Sequence, residues 1–325
     1  MTKLNMVQAL NKALHNEMEK DEKVIVLGED VGKEGGVFRV TEGLQQKFGP
    51  NRAMDTPLSE AGIVGVSVGM AAFGLRPVAE IQFNGFVYYA FNQIINHIAR
   101  LRNRSRGRFT SAFVIRIPSS GGIRALEHHS ESLEAHFVHT AGLKVVMPST
   151  PYDAKGLLIS SIRDNDPVMF LEPIRLYRSI KEEVPEEEYS IPIGQAKVVK
   201  EGADVTVITY GTMVPPTLQA VEELGKKNIN AEVIDLRTLW PLDDKTIIDS
   251  VKKTGRVAIV HEAPRCAGLG AELVARINER AFLSLEAPIA RITGYDVPMP
   301  LPKLEDYFIP DSFRIMKGIE SVVKF

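Results

Sequence analysis

Val24-Ile25-Val26-Leu27, residues 168–171 (Val-Met-Phe-Leu) and residues 257–260 (Val-Ala-Ile-Val) are apolar at every position. Such a run has no polar face to turn to water, so as a strand it must lie in a sheet covered on both sides. With helices between the strands, it predicts a parallel sheet layered with helices. The intervening segments supply those helices. In residues 6–20, Met6, Leu10, Ala13 and Leu14 recur at helical spacing. Further strands are expected at 76–82, 113–117 and 144–147, and helices at 88–104 and 154–163.

The alternation stops at 181–190, an acidic stretch containing Pro185 and no apolar period, which reads as a solvated linker or surface crossing. It then resumes, with strands at 205–210, 231–234, 257–260 and 289–293 and helices at 218–226, 245–253, 271–280 and 313–323. The expectation is an α/β chain of two parallel-sheet domains, 1–185 and 186–325, consistent with 325 residues. One cysteine, Cys266, permits no disulfide within the chain and points to a reducing compartment. A net charge of −2 gives no reason to expect nucleic acid or an anionic membrane. Neither a signal-like apolar core at the amino terminus nor a run long enough to span a bilayer is present, so the expected location is cytoplasmic.

Three segments could carry chemistry. In Asp55-Thr56-Pro57-Leu58-Ser59-Glu60, Pro57 and Ser59 mark a helix start and place Glu60 in the first turn. A carboxylate is favoured there by the helix dipole alone. Yet Gly62, Gly65 and Gly69 follow on one stripe, each costing about 1 kcal/mol relative to alanine, which suggests that a backbone or flat ligand comes close. In Glu127-His128-His129-Ser130-Glu131, adjacent histidines point opposite ways on an extended segment, and no cysteine lies near. With His136 and His139 they make a poor metal cluster, leaving a loop acid–base group or a surface histidine. Arg100, Arg102, Arg104, Arg106 and Arg108 lack a broad basic field and stacking aromatics, and read as a helix end that forms salt bridges. No Gly-x-x-x-x-Gly-Lys-Ser/Thr loop occurs, and Gly268-Leu269-Gly270 lacks the third glycine of a dinucleotide fingerprint. A parallel-sheet protein without its own phosphate loop either binds something else or borrows one.

Across 4–325 the chain resembles the β subunit of thiamine-diphosphate-dependent 2-oxo acid dehydrogenases. The resemblance is carried by Leu27-Gly28-Glu29-Asp30-Val31-Gly32, Gly36-Val37-Phe38-Arg39, Asp55-Thr56-Pro57-Leu58-Ser59-Glu60, Gly142-Leu143-Lys144-Val145-Val146, the 148–158 stretch and Asp235-Leu236-Arg237-Thr238, in order and at family spacing. It implies a thiamine-diphosphate pyrimidine-binding domain followed by a transketolase-type carboxyl-terminal domain. It also implies an α subunit, two of each chain, whose Gly-Asp-Gly motif holds the diphosphate and its magnesium. No Gly-Asp-Gly occurs here.

By position, the resemblance makes Glu60 the carboxyl that shares a proton with the aminopyrimidine ring, so that the neighbouring amino group can act as base. It makes Phe86 an aromatic packed near that ring, with a plain core phenylalanine as the alternative. His129 matches the histidine that serves acyl transfer to the lipoyl group, and its neighbour His128 could share that role. Phe113, Ser161, Ile162, Asp164 and Asp166 match a structural potassium site of some relatives, and also an ordinary turn after a helix. Glu286 and Phe325 match a surface that docks the lipoyl acyltransferase core. Residues 261–264, 285–289 and 294–296 favour branched-chain 2-oxo acids over pyruvate or acetoin. A carboligase of the transketolase kind and a non-catalytic scaffold subunit are the rival readings.

Overall fold

Each stretch read as a strand forms one in the computed structural model, which describes residues 1–300 and 302–325. Backbone contacts divide the chain into two units, Met1–Ser119 with His136–Ile193 and Ser120–Ala135 with Gly194–Phe325. In chain order the strands are β1 (Thr2–Asn5), β2 (Val24–Gly28), β3 (Ala53–Asp55), β4 (Arg76–Glu80), β5 (Val114–Ser119), β6 (Lys144–Val146), β7 (Val168–Pro173) and β8 (Lys181–Val184). They continue with β9 (Lys197–Lys200), β10 (Val205–Thr209), β11 (Ala231–Asp235), β12 (Thr238–Trp240), β13 (Val257–Val260) and β14 (Ala290–Ile292).

In the first unit the sheet runs β6-β7-β5-β4-β2-β3, with every pair parallel. Its central strands are buried throughout, as their composition requires. The Met6–Lys20 helix opens with a reciprocal cap between Asn5 and Gln8 and buries Met6, Leu10, Ala13 and Leu14. It packs on the Pro151–Arg163 helix, where Arg163 grips the buried Glu17 through two nitrogens at 2.9 and 2.6 Å. The helix expected at 88–104 is instead a succession of short pieces: a 3₁₀ segment Asn84–Ala90, single α turns at Phe91–Gln93 and Leu101–Arg104, and a π segment Ile94–Ile98 between them. The 181–190 stretch also departs from expectation. Lys181–Val184 pairs antiparallel with β1, and the buried Lys155 donates to the carbonyls of Pro185, Glu186 and Glu187 at 2.6, 3.0 and 2.8 Å. A lysine ammonium has three donors and no acceptor, so three carbonyls satisfy it and hold the crossing in place.

One charge cluster lies under the apolar strands. The register sets Glu80 beside Arg116 and brings Glu172 onto the same sheet face. Arg116 is fully buried. It donates to Glu80 at 2.8 Å and bidentately to Glu172 at 2.6 and 2.9 Å, while the Tyr177 hydroxyl donates to Glu172. Burial pushes the Glu80 carboxyl up against the pull of Arg116. Burial and then Glu172 raise the Tyr177 phenol well above its usual range.

In the second unit the sheet runs β14-β13-β10-β11-β9. All pairs are parallel except the edge strand β9, which runs antiparallel to β11 across an irregularity at Val233/Ile234. Its core gathers Val205, Val207, Val221, Leu224, Val233, Ile315 and Ile319. Residues 120–135 belong to this unit although their sequence neighbours belong to the first.

Candidate active site

The strand order of the first unit creates a crevice. The chain leaves β2 toward β3 on one side and leaves β4 toward β5 on the other, so the loops at the carboxyl ends of these two neighbours diverge. In open parallel sheets ligands bind at that switch point. Gly28 and Glu80 are the register partners there. A side chain at Gly28 would bring its Cβ to 2.9 Å from the Glu80 carbonyl oxygen, so only glycine lets the strands approach and the loops part.

Glu29 follows Gly28 directly. Asp55, at the end of β3, accepts from the Gly32 and Lys33 amides at 2.6 and 3.0 Å, and the Gly28 carbonyl accepts from Thr56 at 3.0 Å. These bonds tie the loop after β2 to the one that leads into the Glu60–Ala72 helix. Ser59 caps that helix by accepting from Gly62 at 3.2 Å, and Glu60 is its first residue, half-buried. Burial, then the charges of Asp30 and Glu60, push the Glu29 carboxyl up. Two acids therefore interact at the crevice, and one retains its proton to higher pH than a free carboxyl. Sequence reasoning did not single out Glu29 as a site residue. The signal that could have found it is its place immediately after a buried strand.

From β4 comes an aromatic ladder. Tyr177 and Phe38 lie 5.3 Å apart between centroids, Phe38 and Phe83 5.5 Å, and Phe83 and Phe86 5.9 Å. Phe86 is the half-buried outer rung. In the glycine stripe a Cβ on Gly62 would lie 2.9 Å from the Ser59 hydroxyl, but one on Gly69 would meet nothing within 4 Å and one on Gly65 only Gln93 at 3.7 Å, so crowding among the described residues does not explain those two.

His129 is carried by the segment that groups with the second unit. His128 is exposed with a left-handed backbone (φ 67°), and His129 is half-buried. The Glu127 carbonyl lies 2.8 Å from His129 Nδ1 and can only accept. The neutral ring thus carries its proton on Nδ1 and its lone pair on Nε2.

The five residues matched to potassium are engaged by side-chain cations and backbone. Arg76 donates to the Ile162 and Asp164 carbonyls at 2.9 and 3.0 Å. Lys144 pairs with Asp164 at 2.6 Å and Arg102 with Asp166 at 2.6 Å. The Phe113 carbonyl accepts from Val168 at 2.9 Å, and the Ser161 hydroxyl donates to Leu157 at 2.7 Å. Charge at this turn is balanced by the chain's own groups. Among the described residues no cluster of three or more His, Cys, Asp or Glu side chains could hold a metal ion. Arg102 belongs to the arginine run, and its pair with Asp166 is of the kind expected there, whereas Arg104 donates to the Asn96 carbonyl.

Residues 2–179 match the transketolase pyrimidine binding domain and residues 194–315 the transketolase C-terminal domain. The fold is similar to that of a split-gene transketolase solved as an inactive β4 tetramer, with TM-score 0.82, 21% identity and 99% of each chain covered. The chain is 53% identical to the pyruvate dehydrogenase E1 component subunit beta of Acholeplasma laidlawii, covering 100% of this chain and 99% of the relative. It is 52% identical to that of Bacillus subtilis, covering 100% of both. The chain belongs to the family of β subunits of thiamine-diphosphate-dependent 2-oxo acid dehydrogenases. Among the described residues no helix is long and apolar enough to cross a membrane.

Proposed function

We propose that this chain works with an α subunit, two of each, and that the assembly decarboxylates pyruvate and passes the acetyl group to the lipoyl group of an acyltransferase core. The observation that carries the reading is the half-buried Glu60 beside the proton-retaining Glu29 at the switch point, in a chain without a Gly-Asp-Gly motif. These residues fit the aminopyrimidine end of thiamine diphosphate, while the diphosphate and magnesium fall to the α subunit. The bound cofactor supplies an acidic carbon that adds to the 2-oxo group and accepts electrons as carbon dioxide leaves. Glu60 holds and shares a proton at the ring nitrogen, Phe86 offers a flat apolar wall, and His129, with Nδ1 committed to the Glu127 carbonyl, takes up a proton on Nε2 and passes it to the acyl acceptor. Pyruvate is preferred to the branched-chain acids favoured from sequence because the relatives carry the name pyruvate dehydrogenase.

The docking role of Glu286 and Phe325 is supported by a groove of about 670 Å³ that they line with Phe282, Leu283 and Pro288. Leu283 is 97% and Phe325 78% exposed, which is unusual for such side chains on a surface without a partner. The test is expression with and without the α subunit, following substrate-dependent reduction of an artificial electron acceptor. Turnover is expected only from the pair, and faster with pyruvate than with the 2-oxo acids of leucine, isoleucine or valine. Full turnover by the isolated chain would overturn the reading, and faster turnover of the branched acids would restore the earlier expectation.

A further inference from the structure

We infer that Glu305, together with Glu262, is a positioning residue for His129, so that the carboxyl-terminal unit governs acyl transfer without touching the reacting atoms. The inference rests on the reading of His129 given above. The segment 120–133 has no strand or helix of its own. It contains three non-glycine residues in the left-handed region, Ser120 (φ 76°), Arg124 (φ 55°) and His128 (φ 67°). Such backbones persist where the surroundings over-determine them, and here the surroundings are two buried acids.

Glu305, fully buried, accepts from the Gly122 amide with one oxygen and from the Arg124 amide at 2.8 Å with the other. Glu262, 3% exposed, accepts from the Gly121 amide at 2.5 Å and the Ser132 hydroxyl at 3.4 Å, while Thr212 donates to its second oxygen at 2.8 Å. At the far end of the segment the Tyr210 hydroxyl donates to the buried Glu134 at 2.8 Å. Carboxylates bound by several amides are charge-assisted and directional, and neither acid keeps an oxygen uncommitted. Their use is to fix backbone. From Arg124 the chain turns through the 3.2 Å bond of the His129 amide to the Leu126 carbonyl, and the ring is set by the Glu127 carbonyl. Releasing the amides at 122 and 124 therefore lets the imidazole drift, and a shift of about 1 Å at a reacting group costs on the order of 100-fold in rate.

The experiment uses the assembled enzyme with two readouts, dye reduction, which needs no lipoyl acceptor, and acylation of a free lipoyl domain. Glu305→Ala is expected to lower kcat for lipoyl acylation by at least about 10-fold and dye reduction by no more than about twofold. Glu305→Gln, which keeps one acceptor and turns an NH₂ toward an amide donor, gives the same split if the alanine variant fails to assemble. A residue that acts only through His129 adds nothing once the histidine is gone. Glu305→Gln combined with His129→Ala should then acylate no more slowly than His129→Ala alone. Equal loss in both readouts, no loss in either, or additive losses in the double variant would overturn the inference. A His129→Ala variant that lowers both readouts alike would instead overturn the reading of the histidine, and the two failures are thereby told apart.

Discussion

The two parallel sheets carry ionisable groups at the same place, the carboxyl ends of their strands, and put them to opposite use. In the first unit Glu29 and Glu60 stand half-buried at a crevice, near enough for their charges to interact. In the second unit the corresponding edge is closed. Tyr210 follows β10, and His261 and Glu262 follow β13. All three are buried, and Tyr210 and Glu262 are consumed in hydrogen bonds to Glu134, Thr212 and the amide of Gly121. An acid that keeps its oxygens can exchange a proton, whereas one that commits both can only hold a shape. The same topology thus supplies an edge for chemistry in one unit and an edge for positioning in the other.

The largest effect expected from this contrast is at Glu60. Glu60→Gln keeps the size and the first-turn position but cannot share a carboxyl proton. In the assembled enzyme, pyruvate-dependent turnover is expected to fall by about 100- to 1,000-fold, the usual scale for a positioned acid–base group. Assembly with the α subunit and melting temperature should remain unchanged. A loss of only severalfold would show that the open edge is no more chemical than the closed one.

Beneath the open edge the expectation inverts, from activity to stability. Arg116→Met would leave Glu172 and Glu80 buried with no cation, and breaking a buried pair in this way costs about 3–5 kcal/mol. For a chain of this size the melting temperature of the assembled enzyme should drop by about 4–7 °C. A drop under about 2 °C would mean that the cluster is neutral as a whole and supports nothing. The contrast between the two variants separates groups that react from groups that hold the floor under them.

Periodicity made the sheets legible, because a run such as Val24-Ile25-Val26-Leu27 has one place to go. It failed where a segment's structure is decided by distant partners. Lys181–Val184 looks like a solvated linker until β1 arrives to pair with it, and Pro185–Glu187 until Lys155 does. Residues 88–104 have helical apolar spacing, but spacing does not distinguish an α turn from the tighter and wider turns found there. The loop 120–135 belongs to the second unit through Glu262 and Glu305, more than 130 residues away along the chain. No local pattern announces that. Glu60 stood out through its helix-start position, the glycine stripe after it and the family resemblance, while Glu29, just after a buried strand, gained its place at the crevice from the strand order.

The smallest effect concerns the closed edge and is read in pH. His261 is fully buried, stacked on Tyr210 at 6.1 Å, and among the described residues neither ring nitrogen makes a well-formed hydrogen bond. Burial, opposed by the Ala263 backbone and aided by the Arg291 charge, lowers its pKa to about 4 from 6.5. The unfolded chain therefore takes up a proton near pH 6.5 that the folded chain refuses until about pH 4. Between those values the unfolded state binds more protons, so stability is complete above pH 6.5 and falls as pH drops toward 4. At about 1.4 kcal/mol per pH unit the loss reaches about 3 kcal/mol. His261→Gln cannot titrate and should show a correspondingly shallower decline over the same window, whatever its stability at neutral pH. Carboxylates titrate in both proteins, so the difference between the two curves is the quantity to measure by thermal denaturation from pH 7.5 to 4. Parallel curves would show that the imidazole finds a partner or water on protonation, and that the edge of the second unit is less closed than its buried acids imply.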